Sequence, residues 1–258
     1  MLSRRFAANL ASQDWAAIVI EFAIVVAGVF VGIQVSNWNA DRADHRRAHA
    51  YLGRIHGDLL TDQRAIDNSV AYWRTVIAYG EAANAYAERG ELVEGSRWRT
   101  VLAFYQASQM LPFRLADSTY RELVSSGDLG LVHGEGLRSA LAGYYVTGPA
   151  AATDYILRYA PEYRTLVRGY TPPTLSDYIW QHCVRRVGAM DESFVPDCES
   201  PVSEGEAQAV LDGYLAAPGI LPALRFWMTN QKIAVALLES VRRDSVAMGR
   251  QVEAEIGR

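Results

Sequence analysis

The sequence predicts an all-α protein, with one N-terminal transmembrane helix continuing into a soluble domain built as a bundle of long helices. Three observations predict it. Trp15 to Trp38 is an apolar run of bilayer length. Beyond it, apolar residues recur at the three- and four-residue spacing of amphipathic helices. Strand signals are few, with no alternating Val/Ile/Thr run and no Asn-Gly hairpin turn.

The stretch from Trp15 to Val35 holds a single ionisable side chain, Glu21. At about 1.5 Å per residue it reaches roughly 30 Å, one hydrocarbon thickness. Trp15 and Trp38 stand at its two ends, and the amphipathic indole prefers the headgroup level. A secretory signal peptide has a shorter apolar core and a small-residue cleavage site, whereas this run closes on Gln34, Ser36, Asn37, Trp38 and Asn39. The expected organisation is a short leader (1–14), an anchor helix (15–38) and one helical extramembrane domain (39–258).

Within that domain Leu52, Ile55, Leu59, Ile66, Val70, Trp73 and Ile77 mark one helix face, so the anchor is expected to run on into a soluble helix ending near Gly90. Gly53, Gly57 and Gly80 weaken it, at about 1 kcal/mol each relative to Ala. Further helices are expected over 96–110, 119–126 (with Thr119 and Glu122 at capping-box spacing), 135–147, 150–170, 174–187 and, after the capping box Ser203-x-x-Glu206, through Leu215. Pro161 marks a kink or boundary in the fourth of these. Pro222 opens a last helix with Leu224, Met228, Gln231, Val235, Leu238, Val241, Ser245, Met248, Val252 and Ile256 on one stripe. Only another long helix covers such a stripe, and the 45–88 segment is the expected antiparallel partner.

The chain has 258 residues and a formal net charge of −4. Its pI near 5.8 argues against nucleic acid as a partner, because that binding needs a basic footprint. Cys183 and Cys198 are the only cysteines. One reading is a disulfide-closed loop in an oxidising compartment; the other is two free thiols in the cytosol. The Lys/Arg balance around the anchor pulls against the first reading, with Arg4 and Arg5 before it and Arg42, Arg46 and Arg47 after it. That rule is weak for long translocated domains, so the expectation is a cytoplasmic N-terminus and a periplasmic domain on the bacterial inner membrane.

Glu21, Val25, Gly28, Gly32, Val35, Ser36 and Asn39 fall on one helical stripe. Gly28-x-x-x-Gly32 is the small-residue spacing that lets helices approach closely, and an ionisable group inside a membrane turns toward a partner helix or water. The stripe Glu21, Val25, Gly28, Gly32, Ser36 is therefore the expected transmembrane interface; the bland alternative is that Glu21 reaches back to the headgroups and the glycines are incidental. His45, His49 and His56 share another face beside Asp41. They are weak metal candidates, because nothing else at ligand spacing accompanies them; a pH-responsive interface is a second reading, and an ordinary solvated juxtamembrane face is the main one. No nucleophile elbow, phosphate loop or His-Glu-x-x-His pair is present, and Ser125-Ser126-Gly127 reads as a helix end. The aromatics Trp73, Trp98, Tyr120, Tyr144, Tyr145, Trp180 and Trp227 read as core rather than as a ligand cage.

The anchor with Glu21, Gly28, Gly32, Gln34 and Asn37-Trp38-Asn39 is followed by Tyr51-Leu-x-Arg54-Ile-x-x-Asp58-Leu. Further on comes Thr119-Tyr-x-Glu-Leu-Val-Ser-Ser-Gly127-x-Leu-Gly-Leu, through Leu137-Arg-x-Ala-Leu-x-x-Tyr144-Tyr145. Together these stretches resemble a family of uncharacterised bacterial single-pass membrane proteins. The resemblance covers roughly 15–60 and 115–147 and implies an envelope protein with a helical extramembrane domain; it carries no catalytic residue, substrate or partner. The expected role is that of a membrane-anchored interaction protein, an oligomer or a subunit of an envelope complex. Its partners are then the lipid bilayer and either its own copies or other complex subunits, with no cofactor, no nucleic acid and no small-molecule substrate. The alternative is a ligand-sensing domain that signals through a separate protein.

Overall fold

The structure is a computed structural model and describes residues 15–111, 113–148, 162–188 and 191–257. The expected leader 1–14, Pro112, Pro149 and the 150–161 part of one expected helix lie outside the described residues. The chain divides into two compact units, Met1–Tyr51 and Leu52–Arg258. One helix, α1 (Trp15–Arg89), crosses that division.

In the first unit α1 exposes its apolar residues along the whole anchor, from Trp15 at 66% to Trp38 at 57%. It is the one helix among the described residues long and apolar enough to cross a membrane. Beyond it Arg42 stacks over the Trp38 ring at 4.8 Å and Arg47 pairs with Asp44 at 2.6 Å.

The second unit holds the rest of α1, which ends where Gly90 takes φ +70° and returns its N–H to Tyr86 O at 2.8 Å. Glycine suits that left-handed turn because it has no Cβ to clash. Next in the chain are α2 (Arg97–Gln106), α3 (Ser118–Ser125), α4 (Glu135–Ala142) with a π-helical turn Gly143–Thr147, α5 (Glu162–Tyr170) and α6 (Pro173–His182). A two-stranded hairpin, β1 (Val184–Gly188) and β2 (Asp191–Phe194), leads to α7 (Glu204–Ala216) and α8 (Ile220–Ile256).

The long helices α1 and α8 run antiparallel in this unit. His56 pairs with Glu253, Asp67 with Arg242, Glu81 with Lys232 and Glu88 with Arg225, so position numbers fall on α8 as they rise on α1. Ile55, Leu59, Ile66 and Trp73 of α1 are buried, as is the α8 stripe of Leu224, Trp227, Val235, Leu238 and Val252. The Trp73 and Trp227 rings meet edge-on at 5.8 Å. At Gly80 the helices come so close that a Cβ would stand 2.8 Å from Met228 Cγ and Sδ. The glycine that weakens α1 locally thus allows it to pack.

Four expectations are corrected. Helix α2 stops at Gln106 rather than near residue 110, because Ala107–Leu111 form a buried loop. Buried loop backbone needs partners. Trp227 Nε1 donates to Ala107 O at 2.9 Å and Trp73 Nε1 to Leu111 O at 3.2 Å. Second, Thr119 and Glu122 form no capping box: α3 starts at Ser118, and Glu122 is taken by Arg54, with N···O distances of 2.7 and 3.0 Å. Asp117, the residue before α3, gives its carboxylate to Arg121 instead of the helix N-terminus. Third, the expected 135–147 helix is α-helical only to Ala142. Fourth, the helix expected over 174–187 ends at His182 and Val184–Gly188 is a strand.

Cys183 and Cys198 are joined in a disulfide with their Cα atoms 5.2 Å apart. Holding those ends together lays the intervening arms antiparallel, with Val184 opposite Phe194 and Arg186 opposite Glu192. Trp98 Nε1 donates to Cys198 O at 2.9 Å, and Phe194 stacks on Tyr72 at 4.8 Å, which fastens the hairpin to α2 and α1. The box at Ser203 forms as expected: Glu206 N–H donates to Ser203 Oγ at 3.3 Å, and Ser203 N–H donates to Glu206 Oε2 at 2.8 Å.

Candidate functional site

The stretch around Asp58 and the one from Thr119 to Tyr145 come together in the second unit. On α1 the stripe facing the core reads Leu52, Ile55, Leu59, Asp62, Ile66, and Asp62 is 1% exposed. A carboxylate on that stripe must find donors. Asp62 Oδ1 accepts from Ala116 N–H at 2.8 Å and Oδ2 accepts from Tyr144 O–H at 2.9 Å. One side chain thereby ties α1 to the segment before α3 and to the π-helical turn.

That turn presents Tyr144 and Tyr145 to the interior side by side, and both are buried. A π-turn inserts one residue into the helical ladder and rotates the positions after it, a device found often at functional positions. Tyr145 stacks on Tyr120 of α3 at 4.7 Å with ring planes 12° apart, and meets Tyr144 edge-on at 5.0 Å. Ser245 of α8 donates to Leu59 O at 3.3 Å and accepts from Gln63 Nε2 at 3.3 Å. Outside this knot the Arg54–Glu122 fork closes α1 against α3.

Burial pushes the Asp62 carboxyl up to about 6; the hydrogen bonds from Ala116 and Tyr144 oppose this, and the charges of Asp58 and Asp117 add to it. Burial, with the Asp62 charge second, holds both tyrosine hydroxyls above their ordinary range. Asp62 therefore takes up a proton near pH 6, and neither tyrosine is a phenolate base near neutrality. Asp62 is 1% exposed, and the arrangement is a polar tie between chain segments.

In the first unit Glu21, Val25, Gly28, Gly32 and Ser36 are all exposed on α1, and neither glycine has an atom of the described residues within 4 Å of its would-be Cβ. Among the described residues no three His, Cys, Asp or Glu side chains gather as metal ligands. His56 makes a 3.0 Å contact with Glu253, while His45 and His49 lie on exposed positions of α1 in the first unit. Of the aromatics read as core, Trp73, Trp98, Tyr120, Tyr144, Tyr145 and Trp227 are buried and Trp180 is half-buried.

Sequence reasoning missed Asp62. The signal was present, because its position continues the spacing of Leu52, Ile55, Leu59 and Ile66, and an acid on an apolar stripe is expensive unless paired. Compared with known proteins, the chain matches no family model, no curated protein and no solved structure.

Proposed function

We propose that this protein is a single-pass anchor of the bacterial inner membrane whose helical domain, on the periplasmic side, binds a protein partner: its own copies or subunits of an envelope membrane complex. The proposal keeps the resemblance to uncharacterised single-pass membrane proteins. One observation carries it. The anchor part of α1 shows its apolar side chains outward over its whole length, and the Gly28/Gly32 stripe has no neighbour among the described residues. Lipid covers most of such a helix, and a small-residue stripe on it is the surface a second helix fits best. The Cys183–Cys198 disulfide favours the oxidising side of the membrane.

Gentle detergent extraction followed by mass spectrometry of co-purifying proteins tests this reading. A stable homo-oligomer or a defined hetero-complex is expected. A lone monomer in native membranes, or a domain accessible only from the cytoplasm, would contradict it.

A further inference from the structure

We propose that Arg164, Arg168 and Arg186 form a binding site for an oxyanion, the carboxylate or phosphate group of a small solute. The site is independent of the membrane reading and lies between α5, α6 and the disulfide hairpin.

Arg164 and Arg168 stand four positions apart on α5 and are both half-buried. Their protein partners are neutral. Arg164 Nη1 donates to Ser108 O at 2.6 Å, while Arg168 donates through Nε to Ser108 Oγ at 3.1 Å and through Nη2 to Gln109 Oε1 at 2.9 Å. Neither touches a carboxylate among the described residues. Arg168 also lies over Tyr105 at 5.0 Å and Trp180 at 5.2 Å, and Arg186 lies over the same Trp180 ring at 4.9 Å.

The carboxylate facing this group is Glu192. It is 12% exposed, accepts from Tyr72 O–H at 2.6 Å and stands 3.7 Å from Arg186 Nε. Three guanidiniums thus share one acid that already has a partner. Like charges on one helix face destabilise it, and a half-buried charge without a counter-charge is worse. Burial, and then the neighbouring Arg164 charge, pull Arg168 down to about 10. Burial likewise lowers Arg164.

The donors left over show what the site accepts. Among the described residues Arg164 Nε and Nη2 and Arg168 Nη1 have no hydrogen-bond partner, and none of them is sealed off. Guanidinium donors in a fixed fork match the oxygen pairs of carboxylate and phosphate. Holding the loop at Ser108 and Gln109 needs hydrogen-bond donors but no net charge, so the excess positive charge goes beyond that structural job.

The test titrates the purified full-length chain in detergent with inorganic phosphate and, separately, with succinate, at an ionic strength held constant with sodium chloride. A saturable rise in thermal midpoint is expected, since a ligand bound only by the folded state stabilises it. Saturation by phosphate alone assigns a phosphate site, by succinate alone a carboxylate site, and by both a general oxyanion site. Arg164→Gln and Arg168→Gln should each weaken binding about tenfold or more, the loss of one charge-assisted contact. Arg164→Lys keeps the charge but not the fork and should fall between, which covers the case in which a Gln variant does not fold. If both anions act no differently from chloride, or if the folded variants bind as tightly as the parent, the proposal is overturned.

Discussion

The hydroxyl of Tyr144 donates to the carboxylate of Asp62 at 2.9 Å, joining positions 82 residues apart in the sequence. The tie crosses from the middle of α1 to the π-helical turn after α4, and Ala116 N–H completes it from a third segment. Its strength depends on the protonation state of one buried acid.

Asp62 holds its proton more tightly folded than unfolded, with an ordinary value of 3.8 raised to about 6. Between those values the folded chain binds more protons than the unfolded one, so the Asp62 contribution is fully present below about pH 4 and lost as pH rises through about 6. Asp62→Asn removes the titration while keeping an acceptor for Ala116. The parent-minus-variant difference in unfolding free energy should therefore fall between pH 4 and pH 6. Denaturant melts at a series of pH values read it directly, and a flat or rising difference would show that Asp62 is not the buried acid described.

The Cys183–Cys198 bond closes a sequence separation of 15 residues. Closing a loop of that length stabilises by about 3 kcal/mol in the chain-entropy model. Replacing both cysteines with Ser should lower the urea midpoint accordingly, and the parent should behave like the variant after reduction. An unchanged midpoint would mean that the hairpin is held by Trp98, Tyr72 and Phe194 without the covalent link.

At the α1–α8 crossing, a side chain at Gly80 would meet Met228 Cγ and Sδ at 2.8 Å. Gly80→Val should cost about 2 kcal/mol, the range for overpacking a filled interface. Met228→Ala in the same chain should recover part of that loss. A double-mutant cycle in chemical denaturation measures the coupling, and additive effects would place the two residues out of contact.

Helices with a strong 3.6-residue pattern were legible from sequence. The α8 stripe from Leu224 to Val252 is buried or nearly so at every expected position except Met228, which is half-buried under Gly80. Local rules could not show competition from distant partners. Thr119 and Glu122 have capping spacing, yet Glu122 is drawn to Arg54, which lies 68 positions earlier. The hairpin at Val184–Phe194 carries no alternating strand pattern, because its conformation comes from tying its ends together rather than from its side chains. Nothing in the local pattern singles out Arg164 and Arg168, and only the fold shows that they turn toward Ser108 and Gln109, with Glu192 the acid they share with Arg186.

The central claim is that the anchor is an interface as well as a tether. Its most direct measurement is the size and composition of the complex carried by the Gly28→Leu/Gly32→Leu variant in native membranes and in mild detergent. Neither glycine has a neighbour among the described residues within 4 Å, so the change should leave the helical domain folded, with an unaltered circular dichroism spectrum and melting profile. Leucine at both positions holds a partner helix away from the close approach that small residues permit. The account predicts a smaller complex, with the oligomer or the co-purifying subunits lost while the chain stays in the membrane. A variant that keeps the parent size and every partner would contradict it and leave the stripe facing lipid.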